Sequence, residues 1–206
     1  MTAHIKLHLL EFDFFMQLLN FDEINKYVVF KEWLISLEPS EVMEQKQKIC
    51  DELWALLEYM YLYGFASALS ELGVVAKDVE SVLPADYRDA MDESIYKKFD
   101  GLDFADRTLS YAELGDKESI VRVAETDGHR VYNDGGFHGA KAVGAKAKTY
   151  CTMNDDKVRE THDYLEGMTV GIDEKFYTFD GDSALYPGDF ESVQNNVNCR
   201  CWVTYQ

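Results

Sequence analysis

Proline is scarce in this chain, three in 206 residues. That is too few for a loop-rich architecture and points to long uninterrupted elements. Basic residues are also short, 20 Lys and Arg against 38 Asp and Glu, for a formal net charge of −18. Such a deficit argues against a free, sequence-specific DNA binder, whose affinity rests on neutralising phosphates, but it leaves room for a local basic patch. It keeps the chain soluble and suits a partner that presents basic surface. No run reaches the roughly 18 apolar residues that a bilayer span requires. The stretch 5–19 is apolar, but Lys6, His8, Glu11 and Asp13 break it, and no basic leader or small-residue cleavage site accompanies it. Without a secretory signal, the four cysteines (Cys50, Cys151, Cys199 and Cys201) are read as reduced thiols of a protein made in the cytoplasm.

Apolar surface, by contrast, is plentiful: 47% of residues are hydrophobic and 14% aromatic, enough for one good core or two small lobes. Over 5–20, the residues Leu7, Leu10, Phe14, Phe15, Leu18 and Leu19 approximate a helical face. A second helix is expected over 22–37, capped by Asp22, with Ile24, Val28, Trp33 and Leu34 among its apolar positions. Pro39-Ser40-Glu41 punctuates the chain, and Ser40 is the expected cap of the next and longest helix. There Val42, Ile49, Leu53, Leu56, Leu57 and Met60 form one stripe, and Gly73 closes the helix. Gly64 inside it marks close packing or a kink. Trp54, Tyr59, Tyr61, Tyr63 and Phe65 are read as core and bundle interface rather than as a stacking surface for bases, given their acidic neighbours.

Helices are further expected over 84–99, 103–114 and 116–144, the last bending at Gly128 and at Gly135-Gly136. Character changes at Lys146. Segments 148–152, 168–172 and 200–205 read as strands, with a short polar helix over 155–165 closed by Gly167. The fold class is therefore α+β: a helical N-terminal region, 1–115, that binds partners, and a small mixed domain with a short sheet, 116–206.

The C-terminal region carries an ordered set of motifs. Glu125, Arg130 and Asn133 lie on one helix, ahead of an alanine-rich stretch and an aromatic strand. Asp155-x-x-Val158-Arg159-x-x-His162 follows, with Gly167 and then Asp173-x-x-Phe176. Pro187-Gly188-Asp189 and the closing Asn198-Cys199-Arg200-Cys201 complete it. In order and spacing this resembles the phage head morphogenesis family, minor head proteins similar to the F protein of phage Mu, over residues 118–206. The strand position that is typically tryptophan in that family is Cys151 here, or shifts to Tyr150.

The resemblance implies a structural virion protein, not an enzyme, made in the bacterial host cytoplasm and carried in the phage head. It implies action in head assembly at the portal vertex or head interior, with a part in DNA packaging or delivery. The implied partners are the portal protein, the major capsid protein or a scaffold protein, and no membrane. The same domain also heads larger toxin-like polypeptides, so a delivered effector is the alternative. Only Gln206 follows the last expected strand, so no appended toxin domain is expected. A prophage interaction module with no remaining role is a third reading.

Three chemistries compete with plain packing. His162, Cys199 and Cys201, with Cys151 as a fourth ligand, are the candidates for a zinc site, since zinc takes four N or S ligands in a tetrahedron. The residues favour instead no cofactor, with the cysteines as small buried hydrophobes on a core strand and His162 as a hydrogen-bonded helix residue. Glu125, Arg130, Asp155, Arg159 and His162 contain the types for acid/base work, yet no nucleophile elbow or phosphate loop joins them. The favoured reading is a charged clamp, in which Asp155 or Asp156 caps the polar helix and Arg159 pairs with Glu125 or with backbone carbonyls. Lys141, Lys146 and Lys148, with Arg130 and His138, could touch DNA non-specifically; three lysines near a helix end also simply solvate it.

Overall fold

A computed structural model of the chain describes residues 25–74 and 83–206. The helix expected over 5–20 and the cap at Asp22 lie outside the described residues. Helix α1 spans Asn25–Ser36, α2 Pro39–Glu44, α3 Lys46–Glu71, α4 Tyr87–Ile95, α5 Phe104–Glu113 and α6 Lys117–Ala142. The C-terminal part contains strand β1 (Ala147–Cys151), helix α7 (Glu160–Asp163), strands β2 (Thr169–Gly171), β3 (Phe176–Tyr177) and β4 (Ser183–Ala184), helix α8 (Val193–Asn196) and strand β5 (Trp202–Tyr205). The fold is α+β, helical first and then built on a small antiparallel sheet. No described helix is long and apolar enough to cross a membrane.

The stripe expected from Val42 onward is split by a turn at Gln45 into α2 and α3, but its residues face one core. Ser40 does not cap α2. Glu38 does, with its N–H donating to Glu41 Oε2 at 2.7 Å, because Pro39 takes the first helical position. The later helices are capped by the residues at which they were expected to begin: Asp103 Oδ1 accepts from Asp106 N at 2.9 Å, and Asp116 Oδ1 from Ser119 N at 3.0 Å.

Helix α6 is continuous through Gly128 and Gly135-Gly136, where a bend was expected. Its glycines serve contact rather than curvature. A Cβ on Gly135 would stand 2.0 Å from the Tyr61 carbonyl oxygen, and one on Gly139 2.5 Å from that of Phe65. From the other side, a Cβ on Gly64 would stand 1.9 Å from the Tyr132 carbonyl oxygen. Helices α3 and α6 thus press backbone to backbone along a glycine seam, which settles Gly64 as close packing. Tyr61, Tyr63 and Phe65 are buried.

Two apolar clusters flank the seam. One gathers Phe30, Leu34, Leu53, Leu57, Ile95, Phe104 and Val131 among the helices. The other joins Phe137 and Ala140 of α6 to Tyr150, Leu165, Phe176, Phe190 and Val203. The three-stranded sheet runs β2-β1-β5, all antiparallel, with Tyr150 opposite Val203 and Lys148 opposite both Val170 and Tyr205. Strands β3 and β4 form a separate antiparallel pair. The expected boundary between 115 and 116 falls in the turn before α6, and α6 crosses from one cluster to the other.

The polar helix expected over 155–165 contracts to α7. Asp155 accepts from Lys157 N at 3.1 Å, a local turn that competes with helix start. Gly167, φ 73°, then reverses the chain, and its N–H donates to the Tyr150 carbonyl at 2.9 Å.

Candidate metal centre

The residues just before β5 carry the densest chemistry in the described chain. Asn198 adopts φ 56°, a left-handed conformation that asparagine tolerates better than most residues. Beyond it the side chains alternate. Cys199 and Cys201 turn inward and are buried, while Arg200 points out and grips Asp155 through two bonds of 2.8 and 2.6 Å. The cysteines therefore precede the strand rather than lying on it, as β5 begins at Trp202.

His162, from α7, faces the two thiols and is 1% exposed. Its Nδ1 lies 3.6 Å from Cys199 Sγ and 3.5 Å from Cys201 Sγ. The ligand atoms of these three residues all fall within 4.8 Å of one another, and no other His, Cys, Asp or Glu among the described residues joins them. The imidazole stacks on Phe190, centroids 5.0 Å apart, and meets Tyr150 edge-on at 6.1 Å. His162 Nε2 is buried without a hydrogen-bond partner, and the Tyr150 hydroxyl, also buried, lies against the two thiols without a hydrogen bond of good geometry.

The thiols titrate as a pair. A hydrogen bond from Cys201 holds Cys199 well below the usual thiol range against the pull of burial, and His129 and His162 assist. The same bond, then burial, pushes Cys201 up. Burial first, and then nearness to Cys199 and Cys201, raises the Tyr150 hydroxyl well above its ordinary value. Helix α6 fixes the backbone of this corner: His129 Nε2 lies 2.6 Å from the Cys201 carbonyl, to which Asn133 Nδ2 also donates at 3.4 Å.

Cys151 does not join the site. It sits half-buried on the opposite face of β1 from Tyr150, donating to Thr149 O at 3.7 Å. The five residues with acid/base potential are likewise dispersed. Glu125 accepts from Tyr27 and from Lys31 at 3.1 Å, Asp155 holds Arg200, and Arg159 donates to the Val197 carbonyl. Arg130 is 1% exposed, donating to Ser94 O at 2.7 Å and to Asp127 Oδ1 at 3.2 Å. The expected clamp thus exists as separate ties, and neither Asp155 nor Asp156 caps α7, whose N-cap is Arg159.

Sequence reading missed the buried acid at their centre. Asp127, fully buried, receives Arg107 Nη2 at 3.0 and 2.9 Å as well as Arg130. The spacing of Asp127 and Arg130, one helical turn, was the available signal. It also missed Asp182, whose carboxylate accepts from Ser183 N at 2.7 Å, Glu191 N at 3.1 Å, Ser192 N at 3.2 Å and Asn195 Nδ2 at 2.9 Å. Burial pushes that carboxyl up, but these hydrogen bonds bring it below its ordinary value.

The remaining motif residues hold packing posts. Pro187 and Gly188 are buried, and a Cβ on Gly188, φ 94°, would stand 2.9 Å from Arg130 Cα. Asp189 accepts from Lys97 at 2.5 Å and Leu185 N at 2.9 Å, and Phe176 meets Tyr150 edge-on at 5.1 Å. Val158 is half-buried.

The expected basic patch is not one surface. Lys148 is fully buried, donating to the Ile172 carbonyl above the Phe137 and Phe176 rings, because it lies on the inward face of β1 with Tyr150. Arg130 is buried in the Asp127 network, and His138 Nδ1 bonds the Tyr61 hydroxyl at 2.6 Å. Lys141 pairs with Asp173 at 2.7 Å, and Lys146 is exposed.

A family profile described as Phage Mu protein F like protein matches residues 88–204, more than half of the chain. The chain belongs to this family. The match begins within α4, some way before the first motif recognisable in the sequence. The chain is 31% identical over 85 residues to the minor head protein GP7 of Bacillus phage SPP1, covering 40% of this chain and 28% of that protein. It is 29% identical over 170 residues to a protein of Enterococcus faecalis named NAD(+)–arginine ADP-ribosyltransferase EFV, covering 77% of this chain and 34% of that protein. The chain thus spans about a third of the length of these curated relatives or less. No solved structure matches it.

Proposed function

We propose that this Phage Mu F-like protein is a structural, non-catalytic component of the phage head, a minor head protein made in the host cytoplasm and carried in the virion. It associates with the portal vertex or the head interior and serves DNA packaging or delivery. The observation that carries this reading is where the motif residues sit. Arg130, Asn133, Gly188, Asp189 and Asp155 each hold one element against another, and the acid/base types are scattered. Similarity to the SPP1 minor head protein over 85 residues supports it.

Helix α1 offers the partner surface. Val28, Val29 and Ile35 remain 43%, 54% and 54% exposed on it, and Met43 of α2 is 49% exposed nearby in sequence. Apolar side chains left in water on a helix are suited to docking in a partner's groove. The portal protein, the major capsid protein or a scaffold protein is the expected occupant. Lys146, and Lys141 if released from Asp173, supply at most a small non-specific contact with DNA.

Co-expression with the head proteins encoded beside the gene, followed by size-exclusion chromatography at low and moderate salt, tests this. Co-elution of the wild type with the portal or capsid protein, lost on Val29→Glu with Ile35→Glu, is the expected result. Separation from every head protein at both salts overturns it.

The relative named as an ADP-ribosyltransferase aligns over more of this chain than the phage protein does and so favours a second reading, a delivered effector. Incubation with labelled NAD and an arginine-rich acceptor distinguishes the two. Label transfer above a no-protein control would replace the structural reading with the enzymatic one.

A further inference from the structure

We propose that Cys199, Cys201 and His162 bind one thiophilic divalent cation of the zinc type, as a structural site that ties α7 to the segment entering β5. The distances fit. Ligands about 2.3 Å (S) and 2.05 Å (N) from a tetrahedral zinc lie about 3.5 Å from each other. His162 Nδ1 stands 3.6 and 3.5 Å from the two sulfurs.

Hydrogen bonding alone accounts for less of this arrangement. A neutral imidazole nitrogen offers one lone pair or one proton in the ring plane. It can serve one thiol, yet two lie at the same range. A cation inside the triangle uses one lone pair from each donor. Two thiolates also balance a divalent charge, so the occupied site is neutral, as a buried site requires. Binding sends the two thiol protons to solvent and leaves the imidazole uncharged.

A second observation points into the same space. The Tyr150 hydroxyl is fully buried, makes no hydrogen bond of good geometry, and lies against both thiols. It fills the fourth corner directly or through one water. The donor set (two soft sulfurs and one imidazole) excludes calcium and magnesium, which take oxygen. Its burial, shared by all three residues, gives a closed rather than a catalytic site. The inference does not depend on whether the protein is a head component or an effector.

The test uses the whole chain, purified reduced. Elemental analysis should give about one zinc per chain, and cobalt added to chelator-stripped protein should give thiolate charge-transfer and intense tetrahedral visible bands. Cys199→Ser and Cys201→Ser should each abolish the cobalt spectrum, while Cys151→Ser, outside the cluster, leaves it unchanged. Tyr150→Phe should retain the metal with a shifted visible band. If the serine variants do not fold, the wild-type cobalt titration decides alone. Zinc content near zero with no cobalt spectrum from reduced, folded protein overturns the proposal. So does a spectrum that survives both serine variants, or a Cys199–Cys201 disulfide formed in place of metal binding.

Discussion

Asp127 is held between two guanidinium groups in the helical half, with Arg107 and Arg130 each also lying over the Phe99 ring at 5.6 and 5.5 Å. Removing one member of a buried charge group strands the others. Asp127→Ala should therefore cost about 3–5 kcal/mol in urea denaturation. Arg200→Ala, which breaks an exposed, solvent-screened pair, should cost far less. Equal losses would mean that the buried network is not a structural centre. Lys148 gives a pH signature. Burial lowers its ammonium to about 8 from 10.5, so between those values the unfolded chain binds the extra proton and folding gains as pH rises. The stability advantage of Lys148→Met over wild type should therefore shrink between pH 8 and 10.5; a constant difference across that window would contradict the assignment. These roles were only partly legible. Arg130 was singled out by its motif, but its partner Asp127 passed unremarked beside Glu125. Lys148 read as surface because charge is a surface signal, and the alternation along β1 that turns it inward needs the register with β5 to be known.

At the scale of elements, most helices could be placed from apolar spacing and from glycine and proline breaks, and two of them begin beside Asp103 and Asp116, the residues at which they were expected to start. The misplaced bend in α6 has a definite cause. A glycine inside a helix is equally a hinge or a place of contact, and only the partner helix decides. Gly135→Ala and Gly139→Ala should each destabilise by about 1–3 kcal/mol, since the new methyl meets a backbone oxygen that cannot move aside. Gly128→Ala should do the opposite. Its Cβ would come no nearer than 3.9 Å to Met60 Cγ, so it gains up to about 1 kcal/mol of helix propensity. Thermal unfolding of the three variants checks the order, and a loss at Gly128 equal to that at Gly135 would deny the seam. The polar segment 155–165 yielded only a short helix because Asp155 is committed to Arg200 and to its own turn. That tertiary demand left no local trace.

For the whole molecule, the family's motifs gave the C-terminal part, while the cluster of His162 with Cys199 and Cys201 needed α7 and the chain before β5 to be brought together. The sequence grouped Cys151 with those three residues, but Cys151 and Tyr150 are adjacent on β1 and point to opposite faces, so Cys151 lies apart from the cluster. The seam also bears on truncation. Removing residues 1–73 takes away α3, against which α6 is pressed, so the remainder should show no cooperative thermal transition by circular dichroism. A sharp transition in that fragment would show that the C-terminal part stands alone. The seam has an evolutionary corollary. Genomes that shuffle segments between longer polypeptides can move this unit intact only if the breakpoint lies upstream of Lys46. A graft joined at the first recognisable motif, Glu125, would cut into α6 and leave α3 behind, so the glycines of the remaining helix would face water, where they weaken it. A portable unit would thus have to be longer than its signature.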